Sequence, residues 1–180
     1  MKATRTIVLA AVAAALAGCA FLERHPVGNR SVAPPAKAVE LRRYLGRWYE
    51  LARYEQGFQR GCEGVTADYA LRPDGKISVL NRCRKPDGHV SEASGKAKVV
   101  DPVTNARLKV SFFGPFYVGD YWVLDRADDY RWAIVGDPSG RYLWLLHRQA
   151  VPPAGEYDAL VARAGVLGFD IAMLRRTQQP

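Results

Sequence analysis

The sequence predicts an all-β domain: an eight-stranded antiparallel up-and-down barrel with one C-terminal α-helix packed outside. Three observations lead there. From residue 46 to residue 148, short alternating apolar and polar stretches recur, separated by turn clusters such as Pro73-Asp74-Gly75, Lys85-Pro86-Asp87-Gly88 and Asp137-Pro138-Ser139-Gly140. Eight such stretches joined by short loops remove their edges most economically by closing on themselves. After Pro152-Pro153 the period turns helical, with Tyr157, Leu160, Val161 and Ala164 on one face.

Each strand can be placed in turn. Gly46 allows a tight turn into the first strand, Trp48–Tyr54, and Trp48 is expected to plug one end of the barrel. A loop from Gln56 to Gly61 carries an apolar Phe58. Val65–Leu71, Lys76–Arg82, Val90–Val100 and Arg107–Phe113 follow, then an apolar loop, Gly114-Pro115-Phe116-Tyr117-Val118-Gly119. Asp120–Leu124, Tyr130–Val135 and Tyr142–Arg148 complete the eight. Gly165 or Gly168 ends the helix, and Phe169–Leu174 is one more short strand.

Period two then assigns faces. Arg148 must point inward to lay its guanidinium over the Trp48 indole. That sends Leu146, Trp144 and Tyr142 inward as well, with Leu143, Leu145 and His147 outward and the leucines under the helix. Val65, Ala67 and Tyr69, with Val79 on the next strand, line one wall. Leu108, Val110 and Phe112 line another, and Tyr121 is assigned inward on a strand that is apolar on both faces. Strand alternation gathers the 55–61, 84–89, 114–119 and 137–141 loops at the end opposite Trp48, which puts Phe58, Phe116 and Tyr117 at the mouth. Glu50 is expected inward near Arg148 as a structural ion partner.

The start of the chain reads differently. Lys2 and Arg5 precede an apolar run, Ile7 to Leu16, too short to span a bilayer. Leu16-Ala17-Gly18-Cys19 follows and resembles the bacterial lipobox, which implies removal of residues 1–18 and lipid attachment at Cys19; plain secretion or a short hydrophobic anchor are the alternatives. Ala20, where inner-membrane lipoproteins tend to carry Asp, implies the outer membrane, reached through the N-terminal lipid. Residues 19–39, rich in Pro and Gly, are expected as a lipidated tether, and 40–180 as the folded domain.

The net charge is +8, but the arginines are scattered singly with no run of five like charges, so no nucleic-acid partner is expected. Lipid headgroups or plain solvation account for the charge. Cys62 and Cys83 remain as an even pair in an oxidising compartment, flanking a predicted hairpin, and are expected to form a disulfide. Without a Cys-x-x-Cys, and with isolated histidines, no metal or other cofactor is expected.

The Gly46-Arg47-Trp48-Tyr49-Glu50 start, the late Arg148 and the run Ser111-Phe112-Phe113-Gly114-Pro115-Phe116-Tyr117 resemble the lipocalin family, in its bacterial outer-membrane, apolipoprotein D-like subgroup. Asp128-Asp129-Tyr130 is similar to the family's second motif, with Asp in place of Thr. The resemblance covers 40–180. It implies a barrel open at one end, a lysophospholipid or fatty acid as ligand, a role in storing or transporting that lipid, and pairing as a homodimer. No catalytic motif is present. Two other readings stand beside lipid binding: a structural envelope protein holding a partner, and a thiol-dependent lipid isomerase using Cys62 or Cys83.

Overall fold

A glycine with φ +90° at Gly46 swings the chain into β1, Gly46–Tyr54, a conformation that residues with a Cβ rarely adopt. The computed structural model describes residues 26–180; residues 1–25, with the expected signal segment and the expected lipid site Cys19, lie outside it. A single helical turn, α1 (Leu41–Tyr44), precedes β1. The strands β2 (Glu63–Leu71), β3 (Ile77–Arg84), β4 (Val90–Val99), β5 (Arg107–Ser111), β6 (Gly119–Arg126), β7 (Trp132–Gly136) and β8 (Leu143–His147) follow, each antiparallel to the one before. β1 pairs with both β2 and β8, which closes the barrel. Strand ends differ from the sequence-based limits by at most two residues.

Apolar residues pack in two layers. Trp48, Tyr69, Val79, Leu108, Val135 and Leu146 fill the interior. Leu51, Tyr54, Ile134, Leu143 and Leu145 face outward, where helix α2 (Glu156–Val166) covers them with Leu160 and Ala164. Outward His147 is also buried, with Nε2 3.1 Å from Glu156 in the first turn of α2. The helix runs past Gly165 to Val166, and Gly168, φ +89°, turns the chain away just after the Leu167 cap.

Two expectations need correction, and one irregularity was not foreseen. Residues 26–39, assigned to a tether, lie along the barrel: the Gly28 amide donates to the Gly140 carbonyl at 2.9 Å, the Asn29 side chain to the Leu167 carbonyl at 3.0 Å, and the Val39 amide to the Thr104 carbonyl at 2.7 Å. A segment held by backbone bonds to loops needs no apolar period, so composition alone read it as free. The strand expected over Phe169–Leu174 begins later. Phe169 is drawn into the helix-side core, Asp170 caps a 3-10 turn over Ile171–Met173, and β9 is Leu174–Arg176, paired with the upper part of β1. A β-bulge between Glu50 and Ala52 flips the parity of β1, so both Leu51 and Ala52 face the helix and Arg53 returns to the side of Glu50.

Candidate functional site

The barrel floor is built first by α1 and β1. The Trp48 indole donates to the Tyr44 carbonyl at 2.8 Å and is fully buried. The Arg148 guanidinium stands 3.7 Å from the Trp48 ring centroid. It donates to the carbonyls of Arg43, Tyr44 and Arg47 at 2.7, 3.2 and 2.8 Å, tying the end of β8 to the chain that enters β1. Burial pulls its pKa below the usual arginine value, and stacking on the indole offsets the lost hydration.

Above the floor lies a layer of three phenols. Tyr121 meets Tyr44 at 2.7 Å and Tyr69 at 2.9 Å through their hydroxyls. Burial raises all three pKa values: those of Tyr44 and Tyr121 well above the ordinary value, and that of Tyr69 to about 12. The phenols therefore stay protonated at neutral pH. With Ile77, Ala97, Leu108 and Val110 they surround a void with room for about one water molecule.

The upper half of the barrel widens. Asn81 and Gly95 are half-buried and Ala93 is exposed, although they share the inward parity of buried Val79 and Ala97. Small residues on β4 leave a funnel there, and the Phe112 ring lies over Gly95, where a Cβ would come within 2.8 Å. Across the funnel Tyr142 stacks on Trp144, with ring centroids 5.8 Å apart. The Trp144 indole donates to Gln59 at 2.8 Å, and Gln59 donates to Glu50 at 2.8 Å.

Glu50 does face inward, but its ion partner is Arg53 at 2.8 Å, not Arg148. The bulge places the two carboxylate and guanidinium groups together, and Arg148 is committed to backbone carbonyls at the floor. Thr177 and Glu55 complete this buried cluster. Burial works against the Arg53 charge, yet Glu50 and Glu55 outweigh it and raise its pKa.

The structure brings many of the sequence-selected residues together. Tyr69, Leu108, Val110 and Tyr121 line the small void, and Ala67, Val79, Leu146 and Trp144 belong to the same interior layer. Val65 packs instead with the Cys62–Cys83 disulfide, whose Cα atoms are 5.2 Å apart. Phe58 and Phe116 stand out at the rim, 68% and 71% exposed. Tyr117 does not join them. It is half-buried against Lys98, with Nζ 4.9 Å from the ring centroid; because β4 alternates, Lys98 faces outward and draws the phenol to the outer wall. Sequence reasoning missed Tyr44, Ile77 and Arg53. Ile77 was legible from its alternation with Val79. Tyr44 comes from a single helical turn without a period, and Arg53 turns inward only through the bulge.

The lipocalin-like domain family matches residues 39–179. Outer membrane lipoprotein Blc of Vibrio cholerae serotype O1 is 44% identical over 164 residues, 89% of this chain and 95% of that protein. The protein of the same name from Escherichia coli strain K12 is 44% identical over 142 residues, 78% and 80% of the two chains. Among solved structures, insecticyanin from the tobacco hornworm Manduca sexta superimposes with a TM-score of 0.66 at 20% identity, covering 86% of this chain and 88% of that one, a likeness of fold.

Proposed function

The chain belongs to the lipocalin family, and from that premise we propose that it is an outer-membrane lipoprotein, held by lipid on Cys19, that takes a single-chain amphiphile tail-first into its barrel for storage or transport. The observation that carries this reading is the funnel. It is closed below by the Trp48–Arg148 floor and the tyrosine layer, and walled by Phe112, Tyr142 and Trp144. An acyl tail would displace water from these walls, while the head would stay at the wet rim. The inward charges of Glu50 and Arg53 neutralise one another, so the site selects the chain more than the head. The void that the phenols line has room for only about one water, so the tail would lodge in the funnel.

Fatty acids and lysophospholipids of graded length are the test. Affinity is expected to rise by about 0.8 kcal/mol per methylene until the funnel is full, and to be similar for the two head classes at equal length. Trp144→Ala should weaken the long chains most. Flat affinity across lengths would move the ligand out of the barrel and favour an envelope interaction protein. Pairing as a homodimer belongs to the same proposal, and sedimentation of the purified protein checks it. The isomerase reading has less support, because Cys62 and Cys83 are spent in a disulfide.

A further inference from the structure

The strap before the barrel has a direction. At one end the Val39 amide donates to the Thr104 carbonyl and the Glu40 amide to the Tyr130 hydroxyl, both 2.7 Å, in the loops beside the floor. At the other, the Gly28 amide donates to Gly140 and the Gly28 carbonyl accepts from the Asp170 amide, both 2.9 Å. Gly140 belongs to the loop after β7, at the mouth. The described chain therefore begins on the mouth side of the barrel. From Cys19 to Pro26 there are seven residue steps, about 25 Å at full extension. The nine residues of β1 take eight steps, about 27 Å along a strand tilted to the barrel axis, so a lipid on Cys19 reaches a membrane beside the mouth readily and one beneath the floor only with this segment almost fully extended.

The phenylalanines point the same way. Among the described residues Phe58, Phe112, Phe113 and Phe116 are 68%, 37%, 85% and 71% exposed, and all four stand at the mouth; the remaining one, Phe169, is 4% exposed in the helix-side core. Val118 beside them is 80% exposed. Exposed Phe side chains are the kind that surface-bound proteins bury at the headgroup–acyl boundary of a bilayer. Arg60, Arg84 and Lys85, at the same end, add attraction to anionic headgroups.

We propose that the mouth of the barrel is pressed against the membrane that holds the Cys19 lipid, with Phe58, Phe113, Phe116 and Val118 entering the headgroup layer, so that an amphiphile passes between bilayer and funnel without crossing bulk water. This rests on the lipid-anchor reading of Cys19. A second copy of the chain is the competing occupant of the same face.

The test uses the full lipidated chain with one added thiol, Phe113→Cys at the mouth or Val103→Cys at the floor, the latter site being 86% exposed. An environment-sensitive fluorophore is attached, and the protein is reconstituted into phosphatidylethanolamine–phosphatidylglycerol vesicles carrying brominated acyl chains. The label at 113 is expected to shift to the blue and to be quenched at least twofold more than the label at 103. Equal quenching, or stronger quenching at 103, overturns the orientation. A blue shift at 113 that grows with protein concentration and ignores brominated lipid assigns the face to a second copy and also overturns it. Protein that fails to sediment with the vesicles rejects the anchor itself, a distinct failure that removes the proposal with it. In parallel, the Phe113→Ser/Val118→Ser variant should take up lysophospholipid from vesicles several-fold more slowly while its equilibrium affinity for dispersed ligand is kept. Unchanged uptake counts against direct transfer, and lost affinity for dispersed ligand would reassign these residues to the ligand site.

Discussion

Arg148 carries much of the closure of the barrel in one side chain. It stacks on Trp48 and donates to the carbonyls of Arg43, Tyr44 and Arg47, tying the end of β8 to the chain that enters β1. A guanidinium over a desolvated indole contributes about 2 kcal/mol. Arg148→Ala is therefore expected to lower stability by at least about 2 kcal/mol in chemical denaturation while acyl-chain affinity changes little, because the funnel lies at the other end. Lysine should rescue poorly, since an ammonium cannot both stack and fork across several carbonyls. The tyrosine layer gives a second prediction with a defined sign. Burial raises the Tyr69 pKa from 10.0 to about 12, and those of Tyr44 and Tyr121 rise with it. A raised folded-state pKa contributes stability that is fully present below pH 10 and lost as pH climbs through about 12. Denaturation midpoints should fall across that window, and Tyr69→Phe should flatten the fall. An alkaline limb unchanged in Tyr69→Phe would mean that this hydroxyl is not part of the buried layer.

At the scale of elements, the strap decides where the chain enters the domain. Its upper end depends on close approach: a Cβ on Gly140, φ +66°, would fall 1.8 Å from the Asn29 carbonyl oxygen, and one on Gly28 would meet the Tyr54 ring. Gly140→Ala is expected to lift the strap, losing the Gly28 and Asn29 hydrogen bonds at about 1 kcal/mol each. Hydrogen exchange at the Gly28 and Asp170 amides should accelerate while the strand amides of β7 and β8 remain protected. Fast exchange throughout the barrel would instead make the strap part of the cooperative core. The bulge in β1 works at the same scale. By reversing parity after Leu51, it directs Ala52 and Tyr54 to the helix layer beside Leu51 and turns Arg53 into the barrel.

At the scale of the molecule, the wall between β1 and β2 is held by two devices. The strands pair only near the floor, from Gly46↔Tyr69 to Tyr49↔Thr66. Above that, β9 and the residues after it fill the gap: the Thr177 amide donates to Leu51, Gly64 to Gln178, and the Gln179 side chain to Val65. The Cys62–Cys83 bond, 21 residues apart in sequence, fastens the same corner, and in the chain-entropy model such a loop closure contributes about 3 kcal/mol. Cys62→Ala/Cys83→Ala should lower stability by about that amount and leave a folded barrel, measured by denaturant titration with far-ultraviolet circular dichroism. A loss well above it would mean that the corner nucleates closure of the whole sheet.

Local signals were enough to specify the barrel, the outside helix, the Trp48–Arg148 floor and the Cys62–Cys83 pair. Period-two alternation and turn clusters are local signals, and strand alternation then fixes which loops share an end. Composition could not find the strap's path, because its bonds run to loops a hundred residues away and leave no period. Nor could alternation foresee the partnership of Glu50 with Arg53: one inserted residue reverses every face after it, and the sequence carries no mark of the insertion. Tyr44 joined the tyrosine layer, and the C-terminal residues the gap beside β1, only once the closed barrel gave them somewhere to pack. Tertiary structure decided these because each depends on contacts between segments far apart in the chain, where local propensity has nothing to say.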